Sequence, residues 1–151
     1  MSEAAPAASV VRRMVDEVWN DRDLSVVDAL FAPDFDNGPG LPPGPEGVRT
    51  WHRSTWDSFP DLRYQLEAMI AQGSEVAIRW TATGTQRGQF GPIPPTGRTI
   101  TYAGAHFLTV EDGRITRLWS INDTFGKVLE LGAELVPPDP HSANQHTRED
   151  S

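Results

Sequence analysis

At Asp61 the apolar period of the chain changes from 3.6 to 2. Upstream, Val10, Val11, Met14, Val15 and Val18 recur at helical spacing from Ser9, a plausible N-cap, to Asn20. A short helix follows from Leu24 to Phe31, ended by Pro33, and Asp34-Phe35-Asp36 is read as a brief strand. After the stiff loop GPGLPPGP, a third helix runs from Pro45 to Phe59 with Val48, Trp51, Trp56 and Phe59 on its stripe and His52 beside it. Downstream, Leu62, Tyr64, Leu66 and Ala68 alternate with polar residues, as do Val76, Ile78 and Trp80 after the turn at Gln72-Gly73-Ser74. A glycine- and proline-rich loop covers 86–97, and long strands are predicted over Arg98–Val110 and Arg114–Asp123 around Asp112-Gly113, the strongest hairpin signal in the chain. A closing helix, Thr124–Leu131, is expected to bury Phe125, Val128, Leu129 and Leu131. Helices first and antiparallel strands after them predict an α+β fold, with helices on one face of a curved sheet.

With 151 residues, the chain has the length of one domain. Residues 1–8 read as a flexible arm, 9–136 as the domain and 137–151 as a disordered tail. The 13 basic residues against 21 acidic ones give a net charge of -8, and the single lysine, Lys127, leaves no basic footprint for nucleic acid. No apolar run is long enough to span a membrane, and the N-terminus lacks a signal-peptide pattern, so a cytoplasmic location is expected. Without cysteine, and with neither a nucleotide-binding glycine motif nor a histidine–carboxylate cluster, no metal or cofactor is expected.

The hairpin has a testable geometry. With Asp112-Gly113 as a two-residue turn, Val110 faces Ile115, His106 faces Trp119, Gly104 faces Ile121 and Tyr102 faces Asp123. That face also carries Ile100 and Leu108 and is therefore inward; Thr116, Ser120 and Asn122 fall on the other. Arg117 would point inward too, unless the hairpin carries a bulge. In this register His106 and Asp123 lie roughly 13 Å apart along the strands, at opposite ends of an apolar pocket. An imidazole and a carboxylic acid there suit general acid–base chemistry. Two roles are open to Asp123, an acid/base in the pocket or the N-cap of the last helix. His106 and His52 are read either as pocket residues or as core histidines. Trp80 and Trp119 on the strands, and Trp51 and Trp56 on the third helix, are candidate ligand walls, with Tyr102 a further substrate contact.

The order of elements and the stretches Phe59–Ile100, Val110–Gly132 and Gly44-Pro45-Glu46-Gly47 resemble the SnoaL-like polyketide cyclases of the nuclear transport factor 2-like superfamily. The motifs are GQFGPIPPTGR from Gly88 to Arg98, and W-x-x-x-D followed by G-x-x-L-x-L-G from Trp119 to Gly132. The resemblance implies a cone-shaped α+β barrel with an internal pocket, and a homodimer or homotetramer formed through the sheet. It implies an aldol ring closure on a polyketide-like, apolar aromatic small molecule, without metal or cofactor. It matches Asp123 to an acid/base aspartate and His106 to a pocket histidine that stabilises an enolate, with Asn37 as a polar pocket residue. Hydroxylation, hydration, epoxide opening and non-catalytic ligand binding are the alternatives the same family and pocket allow.

Overall fold

The computed structural model describes residues 4–140. Helix α1 (Ala4–Arg13) continues without a break into a π-helical stretch, Met14–Asn20. The helix starts five residues before the expected Ser9 because Ala7 is buried with Val11 against the sheet, so most of the supposed arm is part of the fold. The last four residues of the supposed tail that are described, 137–140, form no helix or strand; 1–3 and 141–151 lie outside the described residues. A 3₁₀ turn at Leu24–Val26 leads into α2 (Val27–Leu30), and α3 spans Pro45–Ser58. The segment 34–36 is not a strand: a turn covers 33–34 and 35–36 have no regular structure, and among the described residues the isolated bridge nearby runs from Phe31 to Ile115.

Four strands follow, β1 (Arg63–Gln72), β2 (Glu75–Thr85), β3 (Thr99–Glu111) and β4 (Arg114–Asn122), joined as an antiparallel meander β1-β2-β3-β4. α4 (Thr124–Glu130) is the last element among the described residues. The helical half packs on the inward face of this sheet, and Val11, Val18, Phe59, Leu62, Leu108 and Ile115, all essentially without solvent exposure, make the centre of the core. The fold is thus the α+β cone predicted, with helices on one side of a curved antiparallel sheet.

Two bulges set which side chains point inward. In the β1–β2 pair, Leu66 faces Trp80 but Ala68 faces Arg79, so Glu67 is the extra residue. Past it Met69 and Ala71 turn inward and Ile70 is 72% exposed, which reverses the face expected for Ala68. In the β3–β4 pair, Val110 faces Ile115 and Glu111 faces Arg114 as the turn requires, but Thr109 then faces Arg117. Thr116 is the inserted residue, its hydroxyl donating to the Thr109 carbonyl at 3.3 Å. The bulge has a clear cause: without it Arg117 would be buried and Leu118 exposed. With it Arg117 reaches water and Leu118 packs against the core. The correction propagates down the strand. His106 faces Ser120 rather than Trp119, and Phe107 faces Trp119 on the outer side, their rings 5.5 Å apart. Trp119 and Ile121 are each 59% exposed.

Candidate functional site

The cone encloses a cavity of about 630 Å³. The π-helical stretch contributes Met14 and Trp19 to its wall, α3 contributes Trp51 and His52, and the strands contribute Tyr64, Trp80, Tyr102 and His106. A pocket of this volume, with aromatic walls and polar groups of comparable number that include Asp36, has the size of a small-molecule site. Near its mouth the bulge has turned Ser120 and Asn122 onto the lining, with Thr124 after them.

His106 is held by the sheet. Its neighbour on β2 is Ile78, and the indole of Trp80, two residues along on the same face, donates from Nε1 to His106 Nδ1 at 3.0 Å. Because indole N–H can only donate, Nδ1 must be unprotonated and the neutral ring carries its hydrogen on Nε2. Burial keeps it neutral: desolvation lowers the imidazole pKa to about 4, against a smaller opposing pull from the Ala105 carbonyl. Trp19 and Trp80 meet the ring edge-on, with centroids 5.2 and 5.7 Å away. Trp80 itself fits because residue 104 is glycine, where a Cβ would come within 2.3 Å of the indole. His106 is therefore a positioned, uncharged hydrogen-bond donor.

His52 faces the same cavity from α3. It is 4% exposed, its Nδ1 has no hydrogen-bond partner, and burial followed by repulsion from His106 lowers its pKa to about 4. Tyr64 and Tyr102 lie in one inward row on either side of Ala82 and interact through their hydroxyls; burial raises the pKa of both. Asn37 lines the cavity, but its amide N–H₂ is occupied by the carbonyls of Pro42 and Gly44, both at 2.9 Å, so it pins the loop before α3.

Three expected pocket residues lie elsewhere. Trp119 is on the outer face, for the register reason above. Trp56, on α3, is half-buried under Arg22 at 5.1 Å, with its indole N–H unpartnered, and is not part of the wall. Asp123 is solvent-exposed and off the cavity lining; its carboxylate accepts the Gly126 amide at 2.8 Å and caps α4. The residue inserted at Thr116 brings the even-numbered Ser120, Asn122 and Thr124 to the cavity side and leaves Asp123 off it. We expect Asp123→Asn to leave stability almost unchanged, since Asn caps as well as Asp, and Asp123→Ala to cost about 1 kcal/mol in chemical denaturation. Equal losses in both variants would show that the cap is not what the carboxylate contributes.

Lys127 was not anticipated. α4 turns Lys127 and Leu131 inward, leaving Phe125 57% and Leu129 41% exposed, contrary to the expected stripe. The lysine is 8% exposed and lines the cavity. Its Nζ lies 4.1 Å from the ring of Phe90, 4.3 Å from Tyr102 and 4.7 Å from Phe59. Among the described residues no carboxylate forms an ion pair with it. Burial lowers its pKa to about 8. A sign was present in the sequence: the only lysine stands four residues before Leu131, on the same helical face.

Among the described residues no group of histidines and acids is arranged to hold a metal ion, and no helix is long and apolar enough to cross a membrane.

The model of the family described as SnoaL-like polyketide cyclase matches residues 9–131. Among solved structures, TsrD from Streptomyces laurentii is 25% identical and superposes with a TM-score of 0.79, over 86% of this chain and 97% of that one. A protein described as a putative SnoaL-like polyketide cyclase from Jannaschia sp. CCS1 is 22% identical, with a TM-score of 0.79 over 91% and 97% of the two chains. IdmH, a putative polyketide cyclase from Streptomyces antibioticus, is 30% identical, with a TM-score of 0.72 over 84% and 99%. No curated protein matches the chain. On the extent of the family match, covering nearly the whole described fold, the chain belongs to the SnoaL-like polyketide cyclase family.

Proposed function

We propose that the chain is an enzyme that closes a ring in a carbonyl-bearing, largely apolar polyketide-like molecule by intramolecular aldol addition inside the cone. The observation that carries this reading is His106. It is a neutral imidazole in an aromatic cavity, locked by Trp80 so that its hydrogen sits on Nε2. When a proton beside a carbonyl passes to the unpartnered Nδ1 of His52, negative charge develops on the carbonyl oxygen, where a fixed donor stabilises the enolate more than the starting ketone. The enolate carbon adds to the second carbonyl and the proton returns to the new alkoxide. The hydroxyl of Tyr102, kept protonated by burial, is a second donor on the same wall. Walls of Trp19, Trp51 and Trp80 suit a flat, fused-ring body.

Asp123 occupies the position that the family resemblance assigns to the acid/base. Here the carboxylate is engaged by the Gly126 amide, so it reaches a bound substrate only by giving up the cap. We expect Asp123→Asn to keep activity within a few-fold; a loss of about a hundredfold, the scale of a missing general base, would return the proton step to this residue.

The proposal is tested by hydrogen–deuterium exchange. The protein is mixed in heavy water with an aromatic ligand bearing a β-ketoester side chain, and exchange at the carbon between the two carbonyls is followed by NMR. Catalysed exchange above the buffer rate is the expected result. Binding without any acceleration would make the protein a ligand-binding module, and no binding at all would remove the substrate class.

A further inference from the structure

We propose that Lys127 is an amine nucleophile that captures a ketone carbon of the cavity's ligand as an imine. The inference deepens the carbonyl-ligand reading above and rests on it.

A surface lysine keeps its ammonium in water and paired with acids. Lys127 does neither. It projects from α4 into the cavity, and its neighbours there are three aromatic rings. Each ring is independently secured. Phe59 ends α3 and is fully buried. Tyr102 is an inward residue of β3. Phe90 sits in the loop between β2 and β3, which would otherwise be free to move. That loop is pinned by Gln86, fully buried, whose side chain donates to the Ile93 carbonyl and accepts from the Thr96 amide and hydroxyl. Ser58 ties it to the end of α3 through the Gln89 carbonyl at 2.7 Å. Phe90 and Ile93 close the tip with reciprocal backbone bonds at 2.9 Å. The amine is thus held in place without an ion pair to neutralise it.

Two forces act on its protonation and oppose each other. The ring faces attract the cation. Burial disfavours it and brings the pKa to about 8, so that up to roughly a tenth of the side chain is the free amine at pH 7. A desolvated lysine of this kind is an activated nucleophile. The chemistry balances without any further reagent. The nitrogen lone pair forms a bond to the carbonyl carbon, the oxygen takes up a proton, and loss of water leaves a C=N bond. The imine tethers the ligand by one ketone carbon while the enolate that His106 stabilises forms at another carbonyl of the same molecule. Hydrolysis then adds water's oxygen to the C=N carbon, passes its two hydrogens to nitrogen and frees the amine.

Because the chain has one lysine, the test reads a single residue. The full-length protein is incubated with acetylacetone, a 1,3-diketone, and the rate of adduct formation at Lys127 is read by peptide mass spectrometry as a gain of one diketone less one water. The same lysine in the urea-unfolded chain is the reference. We expect labelling about tenfold or more faster in the folded protein, since the lowered pKa enlarges the free-amine fraction. Lys127→Arg, which keeps a cation among the rings, should remove the one-water adduct at this position and leave it only at the N-terminal amine, arginines being told apart because they condense with the diketone with loss of two waters; Lys127→Met serves if the arginine variant does not fold. Labelling at Lys127 no faster than in urea, or confined to the N-terminus, overturns the proposal. If ligand exchange in heavy water is still catalysed in that case, the ring-closure reading survives without Lys127. Fast labelling in a protein that catalyses no exchange leaves the nucleophile standing and sinks ring closure.

Discussion

Replacing His106 by phenylalanine should lower catalysed exchange, and ring closure with it, by about 10²–10³-fold while ligand binding changes little. That is the scale on which removing one fixed donor from an oxyanion site is felt. Phenylalanine retains the planar ring that Trp19 and Trp80 contact edge-on, so the wall keeps its shape. What is lost is the Nε2–H donor, and with it the acceptor for the Trp80 indole. The orphaned indole N–H adds its own penalty, about 1–3 kcal/mol of stability if it finds no water. A second substitution separates the two effects. His106→Phe combined with Trp80→Phe removes both halves of the hydrogen bond, so it should recover much of the stability and none of the rate. Recovery of the rate in the double variant would mean that His106 acts only as a packing partner of Trp80. An unchanged rate in the single variant would remove the enolate-stabilising role altogether.

That role depends on a part of the fold that the sequence displays well and on one that it conceals. Period and turn chemistry are local signals. Asp112-Gly113 sets a hairpin, Val110 and Ile115 face each other across it, and the inward set Ile100, Tyr102, His106 and Leu108 on β3 follows from alternation alone. His106 was legible for that reason. The β4 half was not, because a single inserted residue reverses every side chain beyond it. The clue was energetic rather than periodic. Ile115 and Leu118 are three apart, and strict alternation would have buried Arg117 and exposed Leu118. Giving weight to the cost of burying that guanidinium would have moved Ser120 and Asn122 onto the cavity wall and Trp119 and Asp123 off it. Lys127 was concealed by the opposite habit. A lysine on a short amphipathic helix is read as solvated, and only the packing of α4 across Phe59, Phe90 and Tyr102 brings it inside. The three rings come from three separate elements, a relation no local pattern contains.

Acidification from about pH 7 to about pH 4.5 should remove about 2 kcal/mol of stability for each of His52 and His106, about 4 kcal/mol together. The sign follows from the direction of the shifts. Unfolded, each imidazole takes up its proton near 6.5; folded, burial postpones that to about 4. Between these values the unfolded chain binds more protons than the folded one, so stability rises with pH and is lost on acidification. Among the described residues, the window is free of the other shifted groups. Asp23 and Asp61 are held below the ordinary aspartate value by Ser25 and Thr85 respectively, so their contribution disappears only at lower pH. Lys127 is fully protonated in both states below pH 6, and the two buried tyrosines act only in alkali. Urea midpoints measured at both pH values give the loss directly. Substituting either histidine by phenylalanine should halve the difference between the two midpoints, because the apolar ring has no proton to take up. A pH dependence that stays intact in both variants would place the acid-sensitive groups outside the cavity. It would also remove the ground for treating His106 as the neutral donor that ring closure needs at pH 7.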